Sequence, residues 1–186
     1  MPELSALLLH ICCAPCGSGC VNRPEMIAPG REVTLFYSNS NLDSQEEFDR
    51  RLAPVKFLAE YFHLPLIVDP YDHQAWLAAV KGFESEPECG KRCLKCFRFN
   101  LDRTRMAAAG KMAFATTLTV SPRKSSRAIF EIGEKWEEFE KIDFKKKNGY
   151  LIGRNFAREH DLYRQNYCGC EFSRREADLK RKEKSL

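Results

Sequence analysis

Cysteine is the residue type in this chain with the clearest capacity for chemistry, and the spacing of the cysteines predicts a metal site. Of the nine cysteines among 186 residues, seven fall into three tight groups. Thiolates bind zinc and iron–sulfur clusters, and two cysteines separated by two residues are typical of both. Seven candidate ligands exceed the four of one simple site, so we expect an additional metal or a redox dithiol. The groups are Cys12, Cys13 and Cys16, then Cys93 and Cys96, then Cys168 and Cys170.

The number and setting of the cysteines argue against a disulfide framework. An odd number cannot all pair, and the first residues, Met1 to Leu4, lack the basic start and small-residue cleavage site of a signal peptide. We therefore expect a cytoplasmic, reducing location, in which disulfides are rare. No apolar run approaches the roughly 20 residues of a membrane-spanning helix, so we expect no membrane association. Cys20 and Cys89 lie outside the three groups, and we interpret them as bystanders.

The cysteine groups also have a purely structural interpretation. The first group follows a predicted strand, where small apolar side chains could pack at the strand end. The third group flanks Gly169 and could be two buried side chains in a tight turn. Three groups along one chain favour metal over packing. Spacing alone does not separate a zinc site from an iron–sulfur cluster, because tetrahedral thiolate coordination suits both.

The order of the predicted elements places the first cysteine group at one edge of a sheet. Apolar runs of strand length alternate with segments of helical periodicity, which predicts an α/β fold with an open, mostly parallel sheet and helices on both faces. Ligands of such sheets bind beyond the carboxyl ends of the strands, where residues 12–19, 38–43 and 121–124 should converge. The predicted strands are residues 5–11, 33–37, 66–68 and 114–120.

Helices are predicted between and after these strands. Ser44 and Glu47 form a capping box that begins one helix, and Pro54 predicts a kink in it or a division into two shorter helices. We expect one domain over residues 1–186, ending in a cysteine-containing helical extension. The other predicted helices are residues 71–80, 94–109 and 126–139.

Positive charge is concentrated in the last quarter of the chain. The net charge is +4, but residues 141–186 alone carry 13 basic and 7 acidic side chains. The simplest interpretation is a solvated, charged C-terminal helix. The functional alternative is a polyanion-binding surface packed on the domain, because clustered Lys and Arg displace counterions from nucleic-acid phosphates. Its candidate residues are Lys145, Lys146, Lys147, Arg154, Arg158 and Arg164.

Five sequence blocks resemble one family of enzymes. They lie in a single order within residues 8–173, over which the resemblance extends, and they include all seven grouped cysteines. The chain resembles the QueH family, the cobalamin-independent epoxyqueuosine reductases. The blocks are residues 8–16 (LLHICCAPC), 92–97 (RCLKCF), 116–124 (TTLTVSPRK), 143–150 (DFKKKNGY) and 162–170 (LYRQNYCGC).

The resemblance implies the last step of queuosine biosynthesis. In that step epoxyqueuosine, at the anticodon wobble position of certain tRNAs, loses its epoxide oxygen as water after two-electron reduction. The resemblance further implies a Rossmann-like domain related to nucleotide hydrolases and PP-loop enzymes, and a 4Fe-4S cluster with an adjacent mononuclear iron, for which zinc could substitute. It implies no cobalamin. We also expect no ATP, because thiols replace the phosphate-binding Ser/Gly loop of PP-loop enzymes.

Roles for individual residues follow from this resemblance. We expect Cys93, Cys96, Cys168 and Cys170 to hold the cluster, because two pairs from two loops suit a cubane. Cys12, Cys13 and Cys16 would hold the second metal, which as a Lewis acid would polarise the epoxide oxygen. An external low-potential donor would supply the electrons, and we expect a monomer. The proposed catalytic set is Cys12 and Cys13 together with a proton donor. The candidate proton donors are Lys124, Tyr163 and Tyr37. Lys124 and Arg123 are also candidate phosphate contacts.

Two other functions fit the cysteine pattern. One is an iron–sulfur, PP-loop-like tRNA thiolase, which would require ATP. The other is a zinc-stabilised RNA-binding module without catalysis, which would be colourless and contain zinc.

Overall fold

A four-stranded, all-parallel sheet forms the centre of the molecule, in a computed structural model that describes residues 6–27 and 30–184. The strand order is β3-β2-β1-β4. Strand β1 is central and buried along almost its whole length, which explains its continuous apolar sequence. The predicted first residue of this strand, Ser5, lies outside the described residues. The strands are β1 (Ala6–Ile11), β2 (Glu32–Tyr37), β3 (Leu66–Val68) and β4 (Ala113–Thr116).

Helices pack on both faces of the sheet, which confirms the predicted α/β fold. Alternate residues of β1 face two separate cores: Leu7 and Leu9 face α1, α2 and α6, whereas Leu8 faces α4 and α5. No helix among the described residues has both the length and the apolar character to cross a bilayer. The helices are α1 (Ala14–Val21), α2 (Gln45–Tyr61), α3 (His73–Val80), α4 (Lys91–Ala108), α5 (Ser126–Gly133), α6 (Gly149–Glu159) and α7 (Glu171–Lys184).

Helix α2 begins where the capping box predicts and continues through its proline. The Ser44 hydroxyl accepts a hydrogen bond from the backbone N–H of Glu47 at 3.1 Å. The prediction of two shorter helices is wrong, because α2 runs unbroken past Pro54. Phe48 and Val55, on either side of the proline, are both buried in the core, so packing along one face outweighs the loss of one backbone hydrogen bond.

Two predicted elements are shorter than expected. Strand β4 ends at Thr116, and the predicted continuation to residue 120 is a 3₁₀ turn, because the Thr116 hydroxyl accepts from the Leu118 N–H at 3.1 Å and diverts the backbone. Helix α5 ends at Gly133 rather than at residue 139. The chain then returns to the sheet, where Phe114 donates its N–H to the Glu138 carbonyl at 2.9 Å.

The sequence pattern does not predict helices α1 and α6, which lie against each other. A side chain at Gly153 of α6 would place its Cβ 2.0 Å from the Pro15 carbonyl oxygen, and one at Gly19 of α1 would lie 2.4 Å from the Gly149 carbonyl oxygen. Both contacts require glycine. They fix the basic region against the helix that carries Cys16.

Candidate metal centre and substrate cavity

A cavity of about 290 Å³ lies at the carboxyl edge of the sheet, and we call it the main cavity. Its walls come from the loops predicted to converge there: Cys12 follows β1, Asn39 and Asn41 follow β2, and Ser121 and Lys124 follow the turn after β4. Residues 164–168 contribute another wall. The topology therefore brings the first and third cysteine groups to one place.

Cys12, Cys13 and Cys16 line the main cavity with their sulfur atoms within 4.8 Å of one another. Cys13 is the N-cap residue of α1 and has an extended backbone, and Pro15 lies in the first turn of that helix. The chain therefore turns between Cys13 and Cys16. The Thr117 hydroxyl holds Cys12 in place by accepting a hydrogen bond from the Cys12 backbone N–H at 3.2 Å. These three thiols could bind a metal ion.

Shared hydrogen bonds favour one thiolate within this group. Bonds from Cys12 and Cys16, and from the Gln165 side chain, lower the pKa of Cys13 well below its usual range despite burial. Hydrogen bonds with Cys12 and Cys13 raise the pKa of Cys16 well above its usual value, and the bond with Cys13 raises the pKa of Cys12. A bound cation would displace the remaining thiol protons.

The other four grouped cysteines line a second cavity of about 20 Å³ beside the first, which we call the side cavity. Cys93 and Cys96 lie at the start of α4, and Cys168 and Cys170 lie directly before α7. Cys96 and Cys168 line both cavities. The side cavity has room for little more than a water molecule, so a larger group held by all four cysteines must extend into the main cavity.

Gly169 makes the approach of the last two cysteines possible. Its φ of 143° is rare for other residues, and a Cβ there would lie 2.4 Å from Leu42 Cδ2. The Gly169 N–H donates to Ser173 Oγ at 3.1 Å and its carbonyl accepts from the Asp43 N–H at 3.0 Å. These bonds anchor the cysteine pair to α7 and to the loop after β2.

Burial disfavours the thiolate form of three of the side-cavity cysteines, Cys93, Cys96 and Cys170. Burial raises the pKa of Cys93 to about 11 and the pKa of Cys96 well above its usual value. Burial also raises the pKa of Cys170. An all-sulfur donor set with this requirement for positive charge fits zinc or an iron–sulfur cluster.

Comparison with known proteins identifies the family. The model of the family described as epoxyqueuosine reductase QueH matches residues 7–176. The chain belongs to the QueH family. It is 35% identical to the epoxyqueuosine reductase QueH of Thermotoga maritima, over 96% of this chain and 98% of the relative. It is 33% identical to the epoxyqueuosine reductase QueH of Streptococcus pyogenes serotype M1, over 90% of this chain and 70% of the relative. It is 31% identical to that of Staphylococcus aureus, over 90% of this chain and 75% of the relative.

Lys124 is the one candidate proton donor that lines the main cavity of this QueH protein. Burial alone would lower the pKa of its ammonium group, but the combined attraction of Cys168 and the three cysteines of the first group outweighs burial and raises the pKa above its usual value. A positive charge is thus held between the first and third cysteine groups. The other two candidates, Tyr163 and Tyr37, line neither cavity: Tyr163 donates to the Glu47 carboxylate at 3.1 Å and Tyr37 to the Phe48 carbonyl at 2.8 Å.

Arg51 is a cavity residue that sequence reasoning missed. Its side chain is 2% exposed, pairs with Glu47 at 2.7 Å and donates to the Cys168 carbonyl at 2.9 Å. Tyr167, which also lines the main cavity, lies over the guanidinium at 5.2 Å. A polar position on a helix looks solvent-exposed in sequence, so only the pairing of Arg51 with Glu47 at i and i+4 could have suggested it.

The six candidate phosphate contacts separate into three kinds. Arg154 and Arg164 are exposed and line the main cavity. Lys145 is half-buried and donates to the Lys124 carbonyl at 2.5 Å and to Ser126 Oγ at 2.9 Å, so its ammonium is used inside the protein. The remaining three, Lys146, Lys147 and Arg158, are exposed and line neither cavity.

The two ungrouped cysteines lie in contrasting places. Cys20 is fully buried in the core on the α1 side, where burial raises the pKa of its thiol well above its usual value. Cys89 is exposed, has a φ of 71°, and donates its thiol to the Arg123 carbonyl at 3.2 Å. Neither sulfur lines either cavity.

Proposed function

We propose that this chain is an epoxyqueuosine reductase that acts on tRNA. The reaction breaks both C–O bonds of the epoxide, consumes two electrons and two protons, and gives queuosine and water. The observation that supports it is the convergence of all three cysteine groups on adjacent cavities at the carboxyl edge, in a member of the QueH family. We further propose that the reaction uses iron and neither cobalamin nor ATP, takes electrons from an external low-potential donor, and takes place in the cytoplasm.

The ligand assignment divides the cysteines between the two cavities. Cys93, Cys96, Cys168 and Cys170 hold a 4Fe-4S cluster, and the first group holds a mononuclear iron, for which zinc could substitute. When bound, the cluster supplies electrons singly and the second metal supplies Lewis acidity. The thiols fit this assignment because neutral, buried thiols need cations to become thiolates.

Lys124 is proposed as the residue that delivers a proton to the departing oxygen. Its side chain lines the main cavity, and the surrounding sulfur atoms keep the ammonium protonated. Tyr163 is assigned a supporting role instead, because its hydroxyl donates to Glu47, the partner of Arg51. The substrate end of the cavity is then shaped by Arg51 and Tyr167.

Exposed basic and aromatic side chains at the cavity mouth are proposed to hold the anticodon loop. Arg154 and Arg164 provide charge for phosphates, and Tyr150, which is 44% exposed, provides a ring for stacking an unpaired base. The wobble nucleoside would enter the main cavity after leaving the loop stack. The exposed residues Lys146, Lys147 and Arg158 extend the basic surface. Lys145 does not, because its ammonium group donates to the Lys124 carbonyl inside the protein.

Anaerobic turnover tests the proposal directly. Protein purified without oxygen, tRNA containing epoxyqueuosine and a low-potential reductant should give queuosine without cobalamin or ATP. A dependence on ATP would indicate a tRNA thiolase, and a colourless zinc protein without turnover would indicate an RNA-binding module.

Spectra of single cysteine variants test the ligand assignment. Cys168→Ser should lose or perturb the signal of the 4Fe-4S cluster in Mössbauer or EPR spectra, whereas Cys12→Ser should keep that signal and lose the mononuclear metal. Cys20→Ser is the matched control and should keep both metals. Loss of the cluster in Cys12→Ser with an intact cluster in Cys168→Ser would reverse the assignment.

A further inference from the structure

Two buried hydrogen-bond donors in the wall of the side cavity have no partner within residues 6–27 and 30–184. The Trp76 side chain is fully buried, and its indole N–H has no hydrogen-bond partner among the described residues. The same holds for the Nε–H of Arg92, a residue only 2% exposed. Both residues line the side cavity with the four cysteines. A buried donor without a partner destabilises the fold, so the pair indicates an acceptor that occupies this cavity.

The rest of each side chain is firmly held. Trp76 packs with Val80 and Cys170 in a small core and lies parallel to the His73 ring at 5.3 Å. Arg92 uses its two terminal nitrogens on backbone carbonyls of residues 84 and 86 and on Glu176. Neither donor can therefore turn away from the cysteines to find another partner.

Four cysteines bring sulfur, a hydrogen-bond acceptor, to this cavity, which Asn41, Glu88 and Ser173 also line. The Cys96 thiol packs in the same small core as Trp76, and both residues line the side cavity. Arg92 lines that cavity together with Cys93 and Cys170. Both donors thus lie in one wall with sulfur, and an N–H donor favours negative charge on the atom that accepts from it.

We propose that the Trp76 indole N–H, assisted by Arg92 Nε–H, donates to sulfur of the metal centre bound by the side-cavity cysteines and raises its reduction potential. This inference rests on the proposed function, since it needs a redox-active centre at these cysteines. N–H donors to sulfur stabilise the reduced, more negative state of an iron–sulfur cluster. Trp76 is therefore a positioning residue that sets how readily the centre accepts an electron.

The test uses the fact that the chain has two tryptophans, Trp76 and Trp136. Trp136 lines neither cavity, so Trp136→Phe is both the matched control and a background in which Trp76 is the single tryptophan. In this background Trp76 is replaced by phenylalanine or, by biosynthetic incorporation, by benzothienylalanine. The latter keeps the bicyclic shape but has sulfur in place of N–H. Midpoint potentials are measured by anaerobic titration, together with iron and sulfide content.

The expected result is a more negative potential in both replacements, with unchanged iron and sulfide. At a fixed electrode potential the ratio of reduced to oxidised centre should fall about fivefold, as expected for one net hydrogen bond. Unchanged potentials would overturn the proposal, and so would a shift with phenylalanine but not with benzothienylalanine, which would indicate packing alone. Absence of an iron–sulfur centre from the Trp136→Phe parent would overturn the proposed function itself and this inference with it.

Discussion

At the scale of single residues, each buried charge at the two cavities has a group of opposite charge beside it. Five of the seven grouped thiols have a raised pKa, and the protein supplies two cations that are fixed near them, Lys124 and Arg51. Lys124 is balanced by sulfur, whereas Arg51 is balanced by Glu47. The two cations therefore differ in what their loss should do.

Loss of Lys124 should affect turnover and leave metal binding intact. Lys124→Met removes the proposed proton donor, and we expect kcat to fall by about 100-fold or more while iron content is unchanged. Lys124→Arg, which keeps the charge, should keep the metal-centre spectra and recover little activity. Lys135→Met, at an exposed lysine two residues past the end of α5, is the control. A Lys124→Met protein with normal kcat would remove this residue from the proposed mechanism.

Loss of Arg51 should affect stability. Arg51→Met leaves the Glu47 carboxylate, 5% exposed, without its cation, and we expect the free energy of unfolding in urea to fall by about 3–5 kcal/mol. The double variant Glu47→Gln/Arg51→Met removes both charges and should recover much of that loss. Equal destabilisation in the single and double variants would show that packing of Arg51, and not the ion pair, matters.

At the scale of elements, the sequence predicts those segments that are determined by residues close together in the sequence. Helix α2 follows from its capping box, and β1 from its apolar run. The early end of β4 depends on one threonine hydroxyl, and the early end of α5 on the return of residues 138–140 to the sheet, neither of which periodicity reveals. Helix α1 is rich in glycine and cysteine and owes its position to α6. The cysteine grouping predicts the site, but Arg51, Trp76 and Tyr167 enter it only through tertiary packing.

The contact between α1 and α6 should be sensitive to a single methyl group. Gly153→Ala places a Cβ 2.0 Å from the Pro15 carbonyl oxygen, so α1 must shift at the end that carries Cys16. We expect a loss of about 1–3 kcal/mol in the free energy of unfolding. Metal bound by the first cysteine group should also decrease, as measured by elemental analysis. Glu159→Ala, at the exposed end of the same helix, should change neither quantity.

At the scale of the whole molecule, the distribution of charge separates a nearly neutral body from a basic region. Two exposed arginines of that region reach the mouth of the main cavity, and others lie beyond it. Binding of tRNA should therefore involve several phosphates and weaken steeply with salt.

A salt titration of the arginine pair tests this arrangement. In Arg154→Gln/Arg164→Gln the slope of log K against log salt concentration should decrease in magnitude by about 1.4, because each contact to a single strand contributes about 0.7. Arg127→Gln is the control, since Arg127 is 89% exposed on α5 and lines neither cavity. Affinity that is independent of salt in the unmodified protein would exclude a phosphate-binding role for this surface.

The positions of the side-cavity cysteines along the chain also determine when their site can form during synthesis of the protein. Its cysteines come from two regions of the chain, and Gly169 joins the later pair to the earlier one only after most of the sequence has been translated. At 5–20 residues per second, the interval between synthesis of Cys96 and Cys168 is roughly 4–14 s. During that interval the first two thiols are without their partners and open to oxidation or to the wrong ion. Insertion of the proposed cluster would therefore be a late event in the synthesis of the chain.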